Sequence, residues 1–327
     1  MAALAGLVML LNAVPGAGGA GAVEDSGSFD ITIENDRVAR TDRHYTNGVR
    51  LTYLSAEDGG PAVLRDLADR VPIFAPDGRT HIGFTLGQSM FTPDDTGSRE
   101  LDDDDRPYAG WLYGGVALVS EGDNQLQTIE LDVGVIGPNA FAEETQNTWH
   151  DIIRVNDAHG WEHQLDNEPG AILFYEHTWR KFWEVTSGGL GLDVLPHASG
   201  ALGNVFTFAA VGATLRFGED LLNDYGPPRI RPALPGSTLL RPRDSFGWYL
   251  FAGFEGRAVL RNIFLDGNSF SDSHGIDKKL LVGDVQVGAA VTIDRFRLAY
   301  THVFRTREFD EQDRPDRFGA VSLSVKF

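Results

Sequence analysis

The chain has 327 residues, with 47 acidic against 28 basic side chains and a formal net charge of −19. That balance excludes the broad basic surface that nucleic acid or anionic lipid requires. The absence of cysteine excludes disulfides and thiolate metal sites.

Residues 1–22 carry no charged side chain, Leu4 to Leu11 is apolar, and Ala20-Gly21-Ala22 fits a signal-peptidase site. The apolar run is shorter than the roughly 20 residues a membrane helix needs. We therefore expect a signal peptide over 1–22 and a mature chain over 23–327. No later segment is apolar enough for a membrane helix. An exported chain of this kind belongs in the periplasm, the medium, or the outer membrane as a β-barrel.

From Phe29 to Tyr53 the sequence reads as strand, loop, strand. Phe29, Ile31 and Ile33 alternate with Asp30, Thr32 and Glu34, and Val49, Leu51 and Tyr53 alternate with Arg50 and Thr52, the period of half-buried strands. The loop between them holds Asn35, Asp36, Asp42, Arg43, His44, Thr46 and Asn47. Carboxylate, amide and hydroxyl oxygens gathered in this way are the ligand types that a hard cation such as Ca²⁺ prefers. Asn35 continues the parity of Phe29, Ile31 and Ile33. If that face looks at lipid, a costly amide sits at the strand end and needs a partner, such as a metal or a lipid substrate.

Further alternating runs lie near 80–88, 110–119, 126–135, 171–184, 189–197, 204–217, 246–257, 281–293 and 296–304, and at the chain end. Together they predict an all-β fold, a transmembrane antiparallel barrel of about twelve long strands. Val321, Leu323, Val325 and the terminal Phe327 alternate with Ser322, Ser324 and Lys326. This end is similar to the strand that barrel-assembly machinery accepts. Aromatic pairs near strand ends (Trp111 and Tyr113, Trp179 and Trp183, Trp248 and Tyr249) fit interfacial girdles.

Three long connections interrupt the strands: 89–109, with the acidic run Asp102–Asp105; 137–169; and the Pro- and Arg-rich 219–245. Long loops of such barrels are expected outside the cell. The charge run itself reads as solvated loop. The one good helical candidate is Ala140 to Val155, with Pro138 and Asn139 as its start signal. On it Gln146 and His150 share one face, with Asn147 and Asp151 on the adjacent stripe. A neutral histidine can act as general base on water. No serine elbow, zinc-protease motif or phosphate loop is present. Water attack assisted by a metal is then the simpler chemistry.

Three blocks, in order, carry a family resemblance: Glu34-Asn35-Asp36 with Thr41 to Gly48; Asp105-Arg106-Pro107-Tyr108-Ala109-Gly110; and Gly134 to Pro138 followed by Gln146-Asn147-Thr148-Trp149-His150. The chain resembles the outer-membrane lipid A 3′-O-deacylases over essentially its mature length. The resemblance implies a twelve-stranded barrel and a Ca²⁺-dependent hydrolase that removes ester-linked 3′ acyl chains from the lipid A of lipopolysaccharide. It matches Asn35 and Asp36 to the metal-site pair, Thr46 to the active-site threonine, and Gln146 and His150 to the helix residues, with His150 as general base. Two positions depart from it. A family lysine before the second block has only Arg99 here, and a tyrosine after the helix is replaced within Asp157-Ala158-His159. The alternatives are a non-catalytic binding or transport barrel and a soluble secreted β-sandwich.

Overall fold

The computed structural model describes residues 26–36, 44–154, 157–180, 182–219, 221, 224–232, 236–241 and 246–327. The expected signal peptide and the motif residues Thr41, Asp42 and Arg43 lie outside the described residues.

The strands are β1 (Ser28–Asn35), β2 (His44–Leu54), β3 (Arg79–Thr92), β4 (Ala109–Glu121), β5 (Gln125–Ile136), β6 (Glu168–Trp179), β7 (Trp183–Ser187), β8 (Leu190–Gly203), β9 (Phe206–Glu219), β10 (Gly247–Asn262), β11 (Leu281–Ile293), β12 (Phe296–Arg305) and β13 (Asp316–Lys326). Each pairs antiparallel with its neighbours. β1 closes on β13, from Ser28↔Lys326 to Asn35↔Gly319. β6 pairs directly with β8, from Ile172↔Gly203 to Thr178↔His197. Twelve strands thus form a closed barrel, and β7 is a thirteenth that pairs only with the lower part of β8. The run read as one strand over 171–184 is therefore two, β6 and β7. Closure leaves no strand edge in the barrel wall, the condition for crossing a bilayer with strands.

Alternation sorts the side chains as expected. Leu86, Val133, Leu173, Leu202, Phe254, Val285 and Leu298 point outward to lipid, while Asp30, Thr32, Arg50, Thr85, Glu130 and Asp284 are buried in the lumen. The girdle reading is corrected for half its members. Trp111, Tyr113 and Tyr249 point inward and are buried, whereas Trp179 and Trp183 face outward. Trp111 and Tyr113 join Tyr45, Phe91, Phe174, Phe206, Phe208, Phe264 and Phe318 in one lumenal cluster, and Tyr249 packs with Leu221 and Phe251 in another.

Three α-helices decorate the described residues: α1 (Ala62–Ala68), α2 (Ala142–Ile153) and α3 (Ile263–Asp266). α1 is too short to show a helical period in sequence; Ala68 seats it on Ile82 and Leu118. α2 realises the helix expected over 140–155, with a 3₁₀ turn at Pro138–Ala140 before it.

The connections 93–108 and 137–167 lie at the end opposite Ser28 and Lys326, the end expected outside the cell. The connection after β9 leaves from the end where β1 begins and β13 ends, which corrects the expectation that all long loops are external. Its described residues, 224–232 and 236–241, fold back into the lumen. There Asp224 takes Arg216 and Arg297 at 2.7 Å each. Arg229 pairs with Glu34, and Arg231 with Glu130 and Glu176. Two lumenal cavities, of about 30 and 50 Å³, remain around this loop. Each holds no more than a few waters.

Arg297 is fully buried, and it donates to Asp224 Oδ2, the Ser237 carbonyl and Ser324 Oγ. Arg297→Met leaves Asp224 with Arg216 alone. We expect about 3–5 kcal/mol of destabilisation, read as a lower temperature for the heat-induced gel shift. An unchanged transition temperature would mean this pairing does not hold the loop.

Candidate active site on the outer wall

Outward positions of β1 run Phe29, Ile31, Ile33 and then Asn35, so the amide faces the lipid side at the extracellular end. Asp36 follows it and is buried. Asn35 Nδ2 donates to the Thr46 carbonyl at 3.0 Å. The register of β2 on β3 slips between Tyr45↔Phe91 and Asn47↔Met90, making Thr46 the extra residue of a β-bulge. The bulge lets Tyr45 remain in the lumenal cluster while Thr46 Oγ1 reaches Thr92 Oγ1 at 2.7 Å. β2 already begins at His44, so Tyr45 to Gly48 are strand and not the loop expected there.

A single row then crosses four strands on the outer face: Asn35↔Asn47, Asn47↔Met90, Met90↔Gly110. With about 4.8 Å per strand, Asn35 and Met90 stand roughly 10 Å apart. At the Gly110 end sits α2. A Cβ on Gly110 would lie 2.6 Å from Ala142 Cβ and 3.0 Å from Ala140 Cβ. Gln88 Nε2 donates to the Ala140 carbonyl at 2.6 Å. Met90 packs with Tyr108, Ala142, Ala158 and Trp161 beneath the helix.

The orientation of α2 is inverted relative to an ordinary surface helix. Its wall-facing stripe is Ala142, Gln146 and His150, the last two 2% exposed, while Trp149 and Ile152 are 47% and 56% exposed. Trp161 Nε1 donates to Gln146 Oε1 at 2.8 Å. Gln146 Nε2 is buried and makes no hydrogen bond to the described protein. A buried amide donor of this kind calls for an acceptor that is not part of the chain.

The structure thus brings Asn35 and Thr46 into contact, with Asp36 adjoining. It sets Gln146 and His150 together on the helix face above β3 and β4. Asn147 instead holds the chain beyond the helix, accepting from the Ala158 N–H at 3.1 Å. Asp151 is exposed. Arg99, at the family lysine's place, is exposed, and Ala158 is buried under α2. Among the described residues no three His, Asp or Glu side chains gather around one point. A cation here would rely on Asp36 together with neutral oxygens. That set fits Ca²⁺ and not a transition metal. Asn35 would ligate through its oxygen, since its nitrogen is committed to Thr46.

Two residues read from the sequence as loop, His44 between the first two strands and Asp105 in the acidic run read as solvated, are buried and paired. His44 adopts φ 63°, unusual for a non-glycine. Its Nδ1 lies 2.7 Å from Asp316 Oδ1 and its Nε2 3.6 Å from Asp105 Oδ1. Asp102 to Asp104 are exposed, but Asp105 is buried. Burial alone would raise its pKa; hydrogen bonds from His44 and from the N–H groups of Asp94 and Arg106 outweigh this and hold it below the usual carboxylate value. Arg106 is fully buried, 4.9 Å over the Phe91 ring and 3.6 Å from Glu308. The second motif block therefore fastens the rim from inside.

These features define an outer-membrane β-barrel that carries a polar site on its lipid-facing wall, roofed by a loop helix. The chain belongs to the LpxR family: the model for "Outer membrane protein LpxR" matches residues 3–327. Among solved structures it is similar to LpxR from Salmonella typhimurium, at 21% identity and TM-score 0.72, over 92% of this chain and all of that one. The β domain of the Bordetella autotransporter BrkA matches at 9% identity and TM-score 0.46, over 92% of this chain and 99% of that one. No curated protein sequence matches the chain.

Gly110→Val should push α2 off the wall while leaving the β3–β4 ladder intact, because valine suits a strand. We expect a folded, heat-modifiable barrel in which protease cleaves within 142–153 faster than in the wild type. Equal cleavage rates would show that the glycine does not seat the helix.

Proposed function

We propose that this protein is a lipid A deacylase that hydrolyses the ester-linked 3′ acyl chain of lipid A in the outer leaflet, with water as the nucleophile. The observation that carries this reading is the inverted helix. It buries a histidine and a half-satisfied glutamine against a wall that elsewhere presents apolar side chains to lipid. His150 removes a proton from water as the water attacks the ester carbonyl, and returns it to the leaving sugar hydroxyl. Gln146 Nε2 donates to the water or to the carbonyl oxygen. Thr46, fixed by Thr92, and Asn35, fixed by the Thr46 carbonyl, set the far side of the slot. Asp36 and Asn35 would hold Ca²⁺. When bound, that ion supplies Lewis-acid polarisation of the ester and stabilises the oxyanion. The acyl chain remains in lipid against the outer wall.

Family membership supports the reading. Transport through the barrel would need a lumenal route, and the described cavities offer none of that size. Export by the 1–22 signal peptide and insertion by barrel-assembly machinery through β13 complete the proposal.

Refolded protein in detergent should release a 3′ acyl chain from purified lipid A, followed by mass spectrometry. A chelator should abolish release and added Ca²⁺ restore it. His150→Ala should lose about 10²–10⁴-fold in rate while keeping the heat-induced gel shift. Full activity in that variant removes the base assignment, and activity that survives chelation removes the metal.

A further inference from the structure

The lumenal loop between β9 and β10 does more than fill space: its residues Arg229 and Ile230 lie directly behind the candidate site. Arg229 Nε donates to Glu34 Oε1 at 2.5 Å, and the Ile230 N–H donates to the same oxygen at 3.1 Å. A second arm of Arg229 reaches Gln286 Oε1 at 3.0 Å. The Arg229 carbonyl accepts from Arg50 at 3.3 Å. The Ile230 side chain occupies the space beside Gly48, where a Cβ would meet Ile230 Cδ1 at 2.7 Å and Tyr45 Oη at 2.2 Å.

Strand alternation turns these inner contacts into outer geometry. Glu34 faces inward and Asn35, the next residue, faces outward. Gly48 faces inward and Asn47, the residue before it, faces outward, beside Thr46. Arg229 and Ile230 therefore grip from inside the two strand ends whose outer face bears the site.

We propose that Arg229 and Ile230 are positioning residues. The periplasmic loop, acting through the lumen, fixes Asn35, Asp36 and Thr46 on the lipid-facing side. This rests on the site reading above, so the test separates the two.

The chain has no cysteine, so a nitroxide on Ile33→Cys, two residues before Asn35, reports the order of that strand end. Arg229→Ala, Arg229→Lys and Ile230→Ala are compared with Arg241→Ala, which removes a different anchor of the same loop, to Glu121 at 2.7 Å. We expect Arg229→Ala to make the nitroxide mobile and to lower kcat on lipid A by about 100-fold, the scale of an ångström misplacement, with KM little changed. Arg229→Lys should recover part of both, since lysine keeps the charge but not the fork. Arg241→Ala should match the wild type in both. A wild-type line shape and rate in Arg229→Ala overturn the proposal, as do equal losses in Arg229→Ala and Arg241→Ala. Should Arg229→Ala fail to refold, Ile230→Ala carries the same comparison. Should the wild type not cleave lipid A, the deacylase reading falls, while the line shapes still decide the clamp.

Discussion

Carboxylates buried inside the barrel wall are the constraint on which most of this structure depends. Closing twelve alternating strands sends every second side chain inward, and many of these are acidic. An unpaired buried charge costs several kcal/mol, so most of these carboxylates pair with a cation, while Asp30 accepts from the Thr32 and Ser324 hydroxyls. Some cations come from the wall. Asp193 takes Arg216, and Asp284 takes Arg257 and Arg305. Others come from the lumenal loop: Glu34 takes Arg229, and Glu130 takes Arg231 beside Arg50 of the wall. Asp224 reverses the sense, a loop carboxylate between two wall arginines. Loop and wall complete one another electrostatically. The product is a lumen laced with ion pairs, with cavities of only about 30 and 50 Å³ around the loop.

Outside, the physics inverts. A side chain on the lipid face is stable when apolar, and Leu86, Val133 and Leu173 obey. Asn35, Thr46 and Asn47 depart from this rule at a single height, the extracellular end of β1 and β2. The helix laid over the neighbouring strands departs from its own rule there too, hiding Gln146 and His150 and displaying Trp149 and Ile152. Each departure is costly by itself. Together they put polar side chains on neighbouring strands and on the helix above them, within an otherwise apolar surface.

The period-two strands, the helix over 140–155 and the outward parity of Asn35 were legible, because each is a local pattern that alternation or helical spacing carries unaided. The lumenal loop was not. Its Pro- and Arg-rich sequence has no period, and its partners lie far along the chain, as with Arg229 and Glu34, 195 positions apart. Asp105 was misread for a similar reason: inside an acidic run it looks like its neighbours, and its contact with His44, 61 positions away on β2, leaves no local pattern. Gly48 shows the limit most sharply. In a stretch rich in Asn, Asp and Thr, a glycine reads as a turn residue. It is in fact a strand residue, and what it contributes is the absence of a side chain where Tyr45 and Ile230 must meet. The reason for that glycine lies about 180 positions further along the chain, in a loop that enters from the opposite end of the barrel. A motif on the outer rim is thus written partly by a contact on the inner one.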